Sequence, residues 1–135
     1  MKIAIVIIFN NTLNHKIIYL KKKFKNNFKT CLYLNDFPHL TLITIEIKST
    51  IKNIEKNLQL KKNYLKQIDL GKGKIFENDI LTKGDTYYFS VKKSYKLVET
   101  QMKIAEKLKH FALKKKEILK FLTKKKIEKK NYKKY

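Results

Sequence analysis

His39 and Thr41 are separated by one residue at the start of a segment, His39 to Ile47, that is rich in threonine and isoleucine. Such a segment is expected to be a β-strand. Side chains on a strand alternate faces, so the imidazole and the hydroxyl point the same way, roughly 7 Å apart along the chain. A histidine can move a proton near neutral pH, and a threonine can hydrogen-bond a phosphoryl oxygen. The pair therefore has the chemistry to address one phosphate ester. Ile43, Ile45 and Ile47 continue the same face, which puts the polar pair at the strand's start with apolar packing behind it. Just upstream, Asn35-Asp36-Phe37-Pro38 reads as a turn, with proline holding Phe37 extended. The plainer reading is an ordinary histidine after a turn, followed by a β-forming threonine.

The other reactive side chains are sparse. His15 and His110 do not begin a His-x-Thr/Ser triplet; His15 falls near the start of an expected helix and His110 in the middle of one. Cys31 sits in an apolar Cys-Leu-Tyr-Leu context and reads as a buried, inert thiol. With a single cysteine and three histidines, no zinc site is expected. Gly71-Lys72-Gly73-Lys74 matches neither a dinucleotide-binding loop nor a Walker loop. Glu46, Glu55, Asp69, Glu77, Asp79 and Asp85 are scattered and read as solvated carboxylates or turn formers. Tyr87, Tyr88 and Phe89 lie close to lysines; they read first as an edge-strand core cluster and second as a base-stacking platform.

The elements that must position these residues follow from the apolar pattern. Residues 2–9 read as a buried central strand. Asn11 to Asn14 offer caps for a helix over about 15–28. A short extended piece is expected at 30–34 and the His39–Ile47 strand after it. A helix capped by Lys48-Ser49-Thr50 covers about 50–60, continuing toward 66. A strand near 67–77, relaxed or bulged by Gly71 and Gly73, is followed by the turn Lys83-Gly84-Asp85 and the strand Thr86–Val91. A long helix begins near 94, with Leu97, Val98, Ile104, Ala105, Leu108, Phe111 and Ala112 on its buried side. The resulting class is α+β, an antiparallel or mixed sheet with flanking helices. It is expected as one domain over 1–122, with 123–135 a basic, mobile tail.

Charge gives the class of partner. The formal net charge is +22, and all 33 basic residues are lysine. Polyanions should bind such a chain. Arginine is the better bidentate reader of phosphate, and its absence beside abundant asparagine and isoleucine is the mark of an AT-rich genome. The charge thus reads partly as codon bias and partly as affinity for RNA-like polyanions. Met1-Lys2 and the short apolar run after it have no small-residue cleavage site and read as a strand, not a leader. No stretch reaches the roughly eighteen apolar residues of a membrane span. A soluble, cytoplasmic protein is expected, its lone cysteine suiting a reducing compartment.

The string Phe37-Pro38-His39-Leu40-Thr41-Leu42 resembles the first signature of the two-histidine phosphoesterases, the group that contains the 2′-5′ RNA ligases and cyclic phosphodiesterases. Three features around it are similar to that family: an opening hydrophobic strand and helix, a hairpin formed by Lys74–Asp79 and Gly84–Phe89, and a long amphipathic helix after it. The resemblance implies a bilobal sheet fold with two His-x-Thr/Ser motifs facing each other across a cleft. It implies metal-free and cofactor-free chemistry, in which one histidine is the base and the other protonates the departing oxygen. Its substrates would be 2′-5′ linkages or 2′,3′-cyclic phosphates at RNA ends. On this chain the motif assigns only His39 as catalytic and Thr41 as phosphate-binding. The second motif is missing by Tyr135, so a truncated or degenerate member with impaired turnover is expected. The alternative is a non-catalytic basic RNA-binding module. The oligomeric state is not legible in the sequence.

Overall fold

A computed structural model describes residues 1–28, 36–59, 68–80 and 82–132 of the chain. Their order is β1 (Lys2–Ile8), α1 (Asn11–Asn27), β2 (His39–Glu46), α2 (Ile51–Leu58), β3 (Leu70–Asp79), β4 (Gly84–Val91), α3 (Tyr95–Leu108) and α4 (Lys115–Tyr132). The class is α+β, but among the described residues the strands form two two-stranded antiparallel sheets, β1 with β2 and β3 with β4, rather than one. Chain contacts divide into two compact units: Ala4–Leu42, and Met1–Ile3 together with Ile43–Tyr135. The expected extended piece at 30–34, Cys31, and any extension of α2 beyond residue 59 lie outside the described residues.

Polar side chains start three of the helices. Asn10, rather than Asn11 to Asn14, caps α1 by accepting from Leu13 N. Thr50 caps α2 by accepting from Asn53 N, and Ser94 caps α3 by accepting from Leu97 N. Each satisfies a backbone donor that the first helical turn leaves open. α2 closes on Gln59 in the left-handed region, φ 30°.

In the unit Ala4–Leu42, residues Ala4 to Ile8 of β1 alternate between exposed and half-buried. Val6 and Ile8 are exposed. The expectation of a buried central strand is therefore corrected. The continuous apolar run suggested cover on both faces, whereas among the described residues β1 pairs with β2 and every second side chain stays exposed.

In the other unit the core is built by α2, α3, α4 and the end of β2. Ile47, Ile54, Leu58, Val98, Ile104, Leu108, Ala112, Ile118 and Leu122 are all buried. Met1 and Ile47 exchange backbone hydrogen bonds of 2.9 and 2.8 Å. The expected single long helix is two helices, because residues 111–113 leave the helix to pair with the end of β2. Lys48 N donates to Phe111 O at 3.0 Å and Leu113 N to Glu46 O at 2.8 Å, and Ala112 bridges Ile47. Tertiary hydrogen bonds break the helix here with neither glycine nor proline present. The basic segment from residue 123 continues α4 through Tyr132, and its Lys125 is buried.

β3 and β4 form a long hairpin with two bulges, as register shifts between Leu70 and Gly73 and between Phe76 and Asp79 show. Ser90 Oγ donates to the Lys72 carbonyl at the first. Asp85 accepts from Asn78 N at the second, where Asn78 is left-handed at φ 52°. A side chain at Gly73 would run into the Tyr87 ring.

Candidate functional site

Pro38 is buried and anchors the start of β2, while His39 and Thr41 stand exposed on the strand's first turn of pleat. Further along the chain Ile43 and Ile47 are buried and Ile45 is half-buried. The Phe37 carbonyl lies 2.7 Å from His39 Nδ1. A carbonyl only accepts, so Nδ1 carries the proton and Nε2 is the lone-pair nitrogen of the neutral ring. Among the described residues neither His39 Nε2 nor the Thr41 hydroxyl has a hydrogen-bond partner. An outward base and an outward hydroxyl at strand spacing can receive a proton and hold a phosphoryl oxygen.

The segment leading into this pair is tied to α1 within the same unit. Lys21 Nζ donates to the Asp36 carbonyl at 2.6 Å. This fixes the backbone three residues before His39 and sets a cation there. Sequence reasoning missed Lys21, since its partner is a backbone carbonyl 15 positions away and no local pattern marks that.

The remaining sequence candidates do not add groups to a catalytic set. His15 is exposed in the second turn of α1. His110 is exposed in the turn after α3, not in mid-helix, for the reason given for residues 111–113. Three of the six candidate carboxylates have structural occupations: Glu46 faces Lys114 at 3.7 Å, Asp79 accepts from the Thr86 hydroxyl at 2.7 Å, and Asp85 holds the β3 bulge. Among the described residues no group of three or more His, Cys, Asp or Glu side chains could hold a metal ion. No helix among them is long and apolar enough to cross a membrane. A surface depression bordered by Met1, Ile47, Ser49, Thr50 and Asn53 offers hydroxyl and amide groups but neither imidazole nor carboxylate.

Tyr87 and Tyr88 correct a different reading. Both are exposed, as are Ile75 across from Tyr87 and Phe76 diagonal to Tyr88, so these aromatics are not the core of an edge strand. No known family model, curated protein or solved structure matches the chain.

Proposed function

We propose that the chain engages phosphodiesters at RNA ends through His39 and Thr41, as a 2′-5′ RNA ligase-like or 2′,3′-cyclic phosphodiesterase-like protein with impaired turnover. The observation that carries this reading is the 2.7 Å hydrogen bond from His39 Nδ1 to the Phe37 carbonyl. It leaves Nε2 as the basic nitrogen on the strand face shared with Thr41. From there Nε2 takes the proton of an attacking hydroxyl or water, and Thr41 Oγ1 donates to a phosphoryl oxygen. Protonation of the departing oxygen falls to a second His-x-Thr/Ser motif in the family that the sequence resembles, and this sequence has none. One positioned acid or base contributes about 10²–10⁴-fold in rate, and turnover falls short by that order. In this reading the α+β chain corresponds to part of a bilobal fold, acts in the cytoplasm, and uses no cofactor.

The second reading, a non-catalytic basic RNA-binding module, is favoured by the net charge of +22 and by the exposed aromatic hairpin. One binding experiment separates the two. A short RNA ending in a 2′,3′-cyclic phosphate is compared with the same RNA ending in free hydroxyls. The phosphoesterase reading expects tighter binding of the cyclic end, slow or no hydrolysis, and loss of the preference in His39→Ala and in Thr41→Val. Equal affinity for both ends, or a preference that survives His39→Ala, overturns it and leaves the binding module. Robust hydrolysis, abolished by His39→Ala but unaffected by His15→Ala or His110→Ala, overturns the impairment.

A further inference from the structure

Residues that pair directly across an antiparallel ladder share a face. In the hairpin, Lys74 opposes Tyr88 and Phe76 opposes Thr86, which puts these four side chains on one side. Phe76 is 55% exposed and Tyr88 41%. The opposite side already uses its rings: Tyr87 covers Gly73 and meets Phe89 edge-on at 5.6 Å. Phe76 and Tyr88, by contrast, stack on no other ring among the described residues. They are diagonal neighbours, roughly 7–8 Å apart in such a ladder, with Lys74 beside them and Lys72 in the adjacent bulge. Among the described residues no carboxylate pairs with either lysine. At the hairpin tip Asp79 is held by Thr86 and Asp85 by Asn78, and exposed Glu77 follows Phe76 on the strand.

Two open aromatic faces flanked by unpaired ammonium groups match a strand whose bases are free to stack and whose phosphates repeat beside them. A duplex keeps its base faces covered and cannot use the rings. We propose that the Lys72, Lys74, Phe76 and Tyr88 face of the hairpin binds an unpaired RNA strand, with the rings on bases and the lysines on phosphates. The choice of RNA over DNA rests on the function proposed above; the binding face rests on the hairpin alone.

The test is fluorescence anisotropy on the full chain with a labelled oligouridine of about ten nucleotides ending in free hydroxyls, so that an end-phosphate site plays no part. A duplex RNA of equal length and an oligothymidine are the comparators. The single-stranded RNA is expected to bind tighter than the duplex. The double variant Phe76→Leu, Tyr88→Leu keeps apolar bulk, and its affinity is expected to drop by about tenfold or more. The double variant Lys72→Gln, Lys74→Gln is expected to weaken binding and to lower the slope of log affinity against log salt by about 0.7 per lost contact. Parental melting temperatures confirm that both variants fold. Unchanged affinity in the folded leucine variant, duplex binding equal to single-strand binding, or tighter binding of oligothymidine each overturns the proposal. His15→Ala, at an exposed position on α1, is expected to change none of these values, and the free-hydroxyl ends keep a failure at the end-phosphate site distinguishable from a failure here.

Discussion

Lys129 on α4 places its ammonium 3.0 Å from the Glu99 carboxylate on α3 and 4.8 Å from the centre of the Tyr95 ring. Glu99 also faces Lys103 at 3.4 Å. One residue before Lys129, Glu128 meets the buried Lys125 at 2.9 Å and Lys93 at 3.3 Å. The distal turns of α4 are therefore clamped to α3 and to the segment before it by two carboxylates and four lysines. The hydrogen bond from Lys129, with charge from Lys103 added, holds the Glu99 carboxyl below its ordinary value of 4.5. At Glu128, burial pushes the carboxyl up, but Lys125 and Lys93 together outweigh it and lower it.

The clamp fixes the sign of a pH dependence. A carboxyl whose folded pKa lies below its unfolded one adds stability above the unfolded value and loses it as pH falls through the folded value. Melting temperature should therefore drop as pH falls below about 4.5, and less steeply in Glu99→Gln, Glu128→Gln than in the parent. Exposure makes the effect modest and salt-sensitive. Circular-dichroism melts at pH 7 and pH 3.5, at low and high salt, measure it. An acid loss of the same size in parent and double variant contradicts the clamp.

Leu108 closes α3 with no solvent exposure. Leu108→Ala is expected to cost about 2–5 kcal/mol in urea unfolding, through lost transfer energy and the cavity left behind. Leu119 on α4 is 55% exposed, and Leu119→Ala is expected to stay within about 0.5 kcal/mol. Similar costs at the two positions would contradict the packing direction of α4.

Much of this arrangement is written locally. The caps Thr50 and Ser94 precede apolar positions at helical spacing, and Gly71 marks a bulge in β3. What local pattern missed depends on distant groups. The break between α3 and α4 is made by backbone bonds from residues 111 and 113 to the end of β2. Lys125 and Lys129 read as solvated tail because the carboxylates that hold them lie on neighbouring turns and on another helix. Val6 and Ile8 are exposed because one face of β1 is uncovered where the continuous apolar run suggested cover on both. At the candidate site, the shared strand face of His39 and Thr41 is legible from spacing, while the contacts of His39 with the Phe37 carbonyl and of Lys21 with the Asp36 carbonyl carry no local sequence mark.

Lys83 holds φ 56° at the hairpin turn while its N–H donates to the Asp79 carbonyl at 2.8 Å. A side chain in the left-handed region costs about 1–2 kcal/mol. Glycine removes that cost but gives back about 0.5–1 kcal/mol in backbone entropy. Lys83→Gly is therefore expected to stabilise the chain by up to about 1 kcal/mol, and Lys83→Ala to give no such gain. A glycine variant no more stable than the alanine variant contradicts the strained conformation.

The hydrogen bond from His39 Nδ1 to the Phe37 carbonyl predicts an unusual tautomer. A free neutral imidazole favours the proton on Nε2, whereas a bond of 2.7 Å to a carbonyl requires it on Nδ1. Long-range proton–nitrogen correlation spectra of the neutral ring should show His39 with its proton on Nδ1 and exposed His15 with the ordinary preference. Pro38 maintains the geometry, because a residue before proline is held extended and Pro38 itself is buried. Pro38→Ala should therefore shift His39 toward the ordinary tautomer mixture and weaken any selectivity for a phosphate end, with the imidazole still in place. An Nε2-protonated ring in the parent would remove the lone pair from the face shared with Thr41, and with it the base that the proposed chemistry requires.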